Sequence, residues 1–266
     1  MLTGQQAALW AGRFGVADAQ VRRDHLLSHL LWAVAADAAD AVVLIGGTAL
    51  CRTHLTQAPW VRLSEDLDLL VVAEHTTTAA RLERQLLHGI RREFPDAAWL
   101  LSPTRVRAPT PAQLTSGTES IRVQMLPASG GWWAWTQIPH ELRAVDLRYD
   151  DTPGSVDLQV PTLEAFAAMK LAAWEDRQAP RDLFDLAGLT TLDAFNAETL
   201  DAFGHICARA PDLRRYEGLP AATRLSWQFE LGHQIRQLLD APACLQMVAN
   251  AVVAMVGRRP PRTDDA

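Results

Sequence analysis

Asp66 and Asp68, in the run Arg62-Leu63-Ser64-Glu65-Asp66-Leu67-Asp68, are the residues best placed to do chemistry. In an extended strand, side chains two apart share a face, so these carboxylates project together. Adjacent carboxylates repel each other unless a cation lies between them, and Mg²⁺ favours one or two carboxylates with waters and substrate phosphates. Upstream, the apolar run Ala41-Val42-Val43-Leu44-Ile45 ends in Gly46-Gly47-Thr48. Glycines that turn a strand into a helix leave backbone N–H groups open to phosphate oxygens. Phosphate donors beside a paired-carboxylate metal site point to nucleotidyl or phosphoryl transfer.

The elements that must position these residues follow from periodicity. A strand over 41–45 runs through the Gly-Gly turn into a helix over 47–55, and Asp66 opens a strand over 66–72. Helices are expected at 3–13 and 18–39, the second with Val21, Leu26, Leu27, Leu30, Leu31 and Val34 at helical spacing. Residues 76–92 form an amphipathic helix closed by Pro95. From about 97 to 160 the pattern changes to strands, at 98–102, 120–126, 132–137, 142–149 and 156–160. Beyond Pro161 the chain reads as helical to about 257, with breaks near Pro180, Pro211 and Pro242. The fold class is therefore α+β. Residues 1–160 are expected to form a mixed-sheet domain with N-terminal helices, 161–257 a helical C-terminal domain, and 258–266 a disordered tail.

The helical part carries a second polar block, Met169-Lys170-Leu171-Ala172 through Arg177, then Arg181-Asp182-Leu183-Phe184-Asp185-Leu186. Lys170 is the chain's single lysine, against two dozen arginines. A compact ammonium and a planar guanidinium differ most where one phosphate must be met. Asp182 and Asp185 lie three apart and can share a helix face.

The two blocks together resemble the AbiEii/AbiGii-type (MenT-like) nucleotidyltransferases, toxin halves of bacterial toxin–antitoxin pairs; the match runs over roughly 41–187. The resemblance implies a polymerase-β-like nucleotidyltransferase core. It implies that Gly46, Gly47, Thr48, Ser64 and Arg62 bind the nucleotide, and that Asp66 and Asp68 ligate Mg²⁺, with Mn²⁺ an alternative. A third metal carboxylate is expected from a later strand. Asp146 is preferred, with Asp157 as a rival and Asp150 and Asp151 read as turn residues. Lys170 would neutralise the triphosphate as pyrophosphate leaves, and Asp185 would contact the nucleotide or orient Lys170. Asp182 is expected to pair with Arg177 or Arg181. The implied reaction moves a nucleoside monophosphate from an NTP to an acceptor hydroxyl, the 3′ end of tRNA in characterised relatives. A cognate antitoxin is the implied partner, and Ser64 matches a serine reported as phosphorylated in some relatives. A small-molecule or protein acceptor is the competing reading, as is a catalytically silent binding module of the same fold.

Composition bounds this picture. The 266 residues are 48% apolar and 21% charged, an ordinary globular balance. No apolar run approaches the roughly 20 residues of a membrane span, and Met1 to Gly12 lacks a signal-peptide pattern. Cys51, Cys207 and Cys244 are scattered, as expected of free thiols in the cytoplasm. The net charge of −6 argues against a broad nucleic-acid footprint. A local stripe of Arg81, Arg84, Arg91 and Arg92, followed by Arg105 and Arg107, is the exception. Trp132 and Trp133 are expected to pack a sheet face, and His54, His75, His88 and His140 have no partner at zinc spacing.

Overall fold

The computed structural model describes residues 2–128 and 138–258. The expected strand at 132–137, with Trp132 and Trp133, and the tail from 259 onward lie outside the described residues. Two compact units are present: Met1–Pro161 with His233–Gln237, and Thr162–Gly232 with Leu238–Ala266. Among the described residues no helix is long and apolar enough to cross a membrane.

The first unit begins with α1 (Gly4–Phe14) and α2 (Asp18–Ala38). Thr3 and Gln6 cap α1 reciprocally, satisfying N–H groups that the first turn leaves open. The helical stripe of α2 is the core: Val21, Leu26, Leu27, Leu30, Leu31 and Val34 are all fully buried. Burial of each such aliphatic side chain stabilises by roughly 1.5–3 kcal/mol. β1 (Val42–Ile45) leads directly into α3 (Gly46–Thr53), followed by β2 (Asp66–Val71) and α4 (His75–Ile90). Glu74 caps α4 by accepting from the Thr76 and Thr77 N–H groups.

β3 (Ala98–Leu101), β4 (Ala112–Ser116) and β5 (Glu119–Pro127) complete a five-stranded sheet of order β1-β2-β5-β4-β3. β2 and β5 run parallel; the other neighbours are antiparallel. β4 was not expected from the sequence, because its segment Ala-Gln-Leu-Thr-Ser holds one large apolar residue. Its alternation is nevertheless real: Ala112, Leu114 and Ser116 are buried while Gln113 and Thr115 are less so. β6 (His140–Asp146) and β7 (Ser155–Pro161) pair antiparallel as a separate two-stranded sheet.

The second unit consists of α5 (Leu163–Arg177), α6 (Pro180–Thr190), α7 (Ala197–Cys207), α8 (Ala221–Leu231) and α9 (Ala241–Gly257). Thr162 caps α5, and Gln178 ends it in the left-handed region at φ 51°. Pro180 then opens α6 from its first turn, where a missing N–H costs nothing. Pro242 likewise lies in the first turn of α9, which opens after the expected break from α8. α6 packs against α5, α8 and α9, and α5 against α7.

Candidate active site

The Gly-Gly turn is shaped by what lies behind it. Gly46 has a φ of +76°, a conformation costly for any residue with a Cβ. A Cβ on Gly46 would also collide with Asp68 Oδ2, and one on Gly47 with Arg62 Nη2. The two glycines are thus the space in which the Asp68 carboxylate and the Arg62 guanidinium lie. No side chain at the cap position of α3 accepts from its first N–H groups, which begin at the same turn. The Thr48 hydroxyl donates to the Asp66 carbonyl and ties the turn to β2. Its proton is therefore spent on the scaffold.

β2 alternates as expected, with Leu67 and Leu69 buried and Asp66 and Asp68 half-buried on the other face. Asp68 lies opposite Ile45 on one side and Gln124 on the other. Asp66 lies opposite Arg122 of β5, which forks onto it: Nε donates to Oδ1 at 2.8 Å and Nη2 to Oδ2 at 2.6 Å. The hydrogen bonds to Asp66 and the neighbouring negative charge raise the Arg122 pKa further. Arg122 was missed in the sequence because parallel pairing of residues 66 and 122 has no local signature.

The segment leading into β2 is anchored by Gln234. Leu63 N–H donates to the Gln234 carbonyl at 3.0 Å, and Arg62 Nη1 donates to Gln234 Oε1 at 3.1 Å. Arg62 and Gln234 are both buried. The Ser64 hydroxyl is buried with no hydrogen-bond partner among the described residues. Asp24, fully buried on α2, accepts from Arg148 Nη1 at 3.1 Å and from the Tyr149 hydroxyl at 3.0 Å, and pairs with Arg52 Nη2 at 2.9 Å. Burial alone would raise the Asp24 pKa, but Arg52 and Arg148 outweigh it, aided by the Tyr149 hydroxyl and the Ser64 N–H, and hold it below the usual range. Arg148 Nη2 reaches the Cys51 carbonyl at 2.9 Å, so this cluster joins α2, α3 and the turn after β6. Asp24 carried no sequence signal, since an isolated acid in an apolar helix reads as surface.

Asp146 is exposed at the end of β6, on the two-stranded sheet rather than beside β2. Its Oδ1 accepts from the Arg148 N–H at 2.8 Å, and its carbonyl accepts from Arg52 Nη1 at 2.8 Å. Asp157 is on β7, and Asp150 and Asp151 lie in the intervening turn. Among the described residues, the group of three potential metal ligands with donor atoms within 4.8 Å of one another is His25, His29 and Asp151; Asp66, Asp68 and Asp146 do not form such a group.

In the second unit the buried Lys170 ammonium meets Asp182 Oδ1 at 3.0 Å and Asp185 Oδ2 at 2.7 Å. Asp182 also accepts from Arg177 Nε at 2.7 Å and Nη2 at 3.1 Å. Burial pushes the Asp182 pKa up, yet Lys170 and Arg177 outweigh it and keep the carboxyl below the usual range. Arg177 is thus the partner of Asp182, while Arg181 pairs at 3.9 Å with Glu230. Asp185 contacts Lys170 directly, so it can orient that ammonium.

The family model "Nucleotidyl transferase AbiEii toxin, Type IV TA system" matches residues 29–250. This chain belongs to the AbiEii nucleotidyltransferase toxin family. As an AbiEii-type protein it is a nucleotidyltransferase, and the α+β architecture agrees with solved structures. It superposes on the MenT4 nucleotidyltransferase toxin of Mycobacterium tuberculosis H37Rv with a TM-score of 0.64 at 18% identity, covering 98% of this chain and 91% of that one. A structure assigned as a nucleotidyltransferase from H. pylori gives a TM-score of 0.54 at 16% identity, covering 91% of this chain and 97% of that one. No curated protein matches the sequence. The sequence-expected site residues Gly46, Gly47, Thr48, Arg62, Asp66 and Asp68 come together in the first unit, and Lys170, Arg177, Asp182 and Asp185 in the second.

Proposed function

We propose that this AbiEii-type toxin transfers a nucleoside monophosphate from an NTP to the 3′-terminal hydroxyl of tRNA, with Mg²⁺ held by Asp66 and Asp68. The observation that carries the reading is the Gly46–Asp68 contact, which places a carboxylate beside the uncapped N-terminus of α3. The Asp66 and Asp68 carboxylates, on one face of β2, offer an all-oxygen donor set of the kind Mg²⁺ takes together with phosphates. When bound, Mg²⁺ would supply charge neutralisation to the triphosphate.

The chain's own residues do the rest. The N–H groups at Gly46 and Gly47 hold phosphate oxygens, and Arg62, fixed by Gln234, backs that turn. Arg122 must release at least part of Asp66 for metal to bind there. Its side chain is 59% exposed, so it is free to rotate and offer its guanidinium to the nucleotide. Lys170, aimed by Asp182 and Asp185, is assigned to the departing pyrophosphate. Asp146 is the candidate third acid by sequence, and activity of Asp146→Ala decides whether the reaction needs it. Exposed Arg84, Arg91, Arg92, Arg105 and Arg107 support a polyanionic acceptor despite the acidic net charge. A cognate antitoxin is the regulatory partner that membership of a type IV system implies.

The test is label transfer from each α-labelled NTP to total tRNA with Mg²⁺, beside Asp68→Ala. Label on tRNA that the variant lacks supports the proposal. Pyrophosphate release with label on another acceptor moves the acceptor to a small molecule or protein. No turnover with any acceptor sinks it.

A further inference from the structure

His25 and His29 are one helical turn apart on α2, so their rings share a face. Their Nε2 atoms approach to 3.2 Å, and Asp151 Oδ2 lies 2.8 Å from the first and 3.4 Å from the second. Three atoms able to offer lone pairs to a cation therefore converge on one point. A tetrahedral zinc ion with bonds of about 2.0–2.1 Å separates neighbouring ligand atoms by roughly 3.3 Å, which the 3.2 Å and 3.4 Å spacings match, while the 2.8 Å pair would open by about half an ångström on binding. Both rings are buried, and Phe94 packs 5.4 Å from each, fixing their planes in an apolar shell. Asp151 faces solvent, and His25 also lines a cavity of about 150 Å³ with Arg22, Phe94, Asp96 and Glu119, which gives an ion a way in.

We propose that His25, His29 and Asp151 form a site for one zinc-type transition-metal cation, distinct from the Asp66 and Asp68 pair. Two imidazole nitrogens with one carboxylate suit Zn²⁺ and its neighbours and discriminate against Mg²⁺, which prefers oxygen. Three protein ligands leave a fourth position for solvent. The site joins α2 to the turn between β6 and β7, where Arg148 and Tyr149 grip Asp24. An ion there would staple the same turn from its other end and raise the melting temperature, since it binds only the folded chain.

The experiment uses the full chain, stripped with a chelator and titrated with Co²⁺ as a coloured probe, then with Zn²⁺. The expected result is one Co²⁺ per chain with visible ligand-field bands, displaced by Zn²⁺. Binding should persist in an Asp66→Ala/Asp68→Ala variant and weaken by about 100-fold or more in His29→Gln, beyond the 10–100-fold typical of outer-shell changes. Should His29→Gln fail to fold, Asp151→Asn, changed at an exposed position, carries the same expectation. Absence of Co²⁺ and Zn²⁺ binding overturns the site. So does binding that survives the His29 and Asp151 changes, or that disappears with Asp66 and Asp68. These outcomes are independent of nucleotide transfer, so the proposal stands or falls apart from the enzymatic reading.

Discussion

Two aspartates illustrate two ways of holding a charge. Asp66 in the first unit is paired with Arg122 across the sheet, with Arg122 59% and Asp66 21% exposed. Asp182 in the second is shared by Lys170 and Arg177, with no exposure of its own. The first pair is near water and can be exchanged for another partner at little cost, as surface ion pairs contribute only about 0–1 kcal/mol. The second cannot lose Lys170 without leaving two buried carboxylates, Asp182 and Asp185, short of their shared cation. An acid meant to receive a ligand and an acid meant to aim a neighbour should differ in this way.

The largest effect expected from breaking the comparison is on turnover. Asp68→Ala should lower nucleotide transfer by about 1,000-fold, or about 4 kcal/mol, through loss of transition-state charge stabilisation. Its urea midpoint should stay near wild type, which single-turnover assays and denaturation together check. Asp182→Ala should do the reverse first: about 1.5–3 kcal/mol of stability lost, because Lys170 and Arg177 lose their charge-assisted hydrogen bonds to it, with Asp185 still holding Lys170. A midpoint unchanged in Asp182→Ala would break the contrast. Gly46→Ala should cost about 1–3 kcal/mol for its positive φ and weaken activity besides, since the new methyl displaces Asp68. Arg122→Gln is the mildest, within about 1 kcal/mol in stability. It should tighten Mg²⁺ binding to the apo chain, read by isothermal titration, because the competitor for Asp66 is gone.

Acid should sharpen the same contrast. The folded-state pKa of Asp182 lies below its ordinary 3.8, so the unfolded chain takes up that proton first as pH falls. The stability it contributes is present above 3.8 and lost as pH falls through and below that value. The slope of unfolding free energy against pH between 5 and 2 should be shallower in Asp182→Asn.

Much of this was legible in the sequence because glycine and aspartate act locally. The turn at Gly46, the face shared by Asp66 and Asp68, and the apolar stripe of α2 each follow from spacing within one element, and the structure has all three. The partner of Asp182 was narrowed to Arg177 or Arg181, and Arg177 is the one. What stayed hidden depends on long-range register. Arg122 lies opposite Asp66 only because β2 and β5 pair in parallel. Gln234 holds Arg62 across 172 residues. His25 and His29 were overlooked although they are four apart on α2, because their third partner, Asp151, reads as a turn residue. β4 escaped because short side chains carry its alternation.

The grip of Gln234 on Arg62 has a consequence for how the protein comes to exist. Residues His233–Gln237 belong to the first unit, although the rest of that unit ends at Pro161. The loop behind the glycine turn is thus complete only once His233–Gln237, well beyond the rest of the unit, have left the ribosome. Domains generally fold from the N-terminus as they emerge, but the Arg62 side of this one gains its Gln234 contact only after α8 has been made. A nascent chain should therefore lack the Gln234 contacts until that point, and a fragment cut at Pro161 should hold Arg62 less firmly behind the glycine turn.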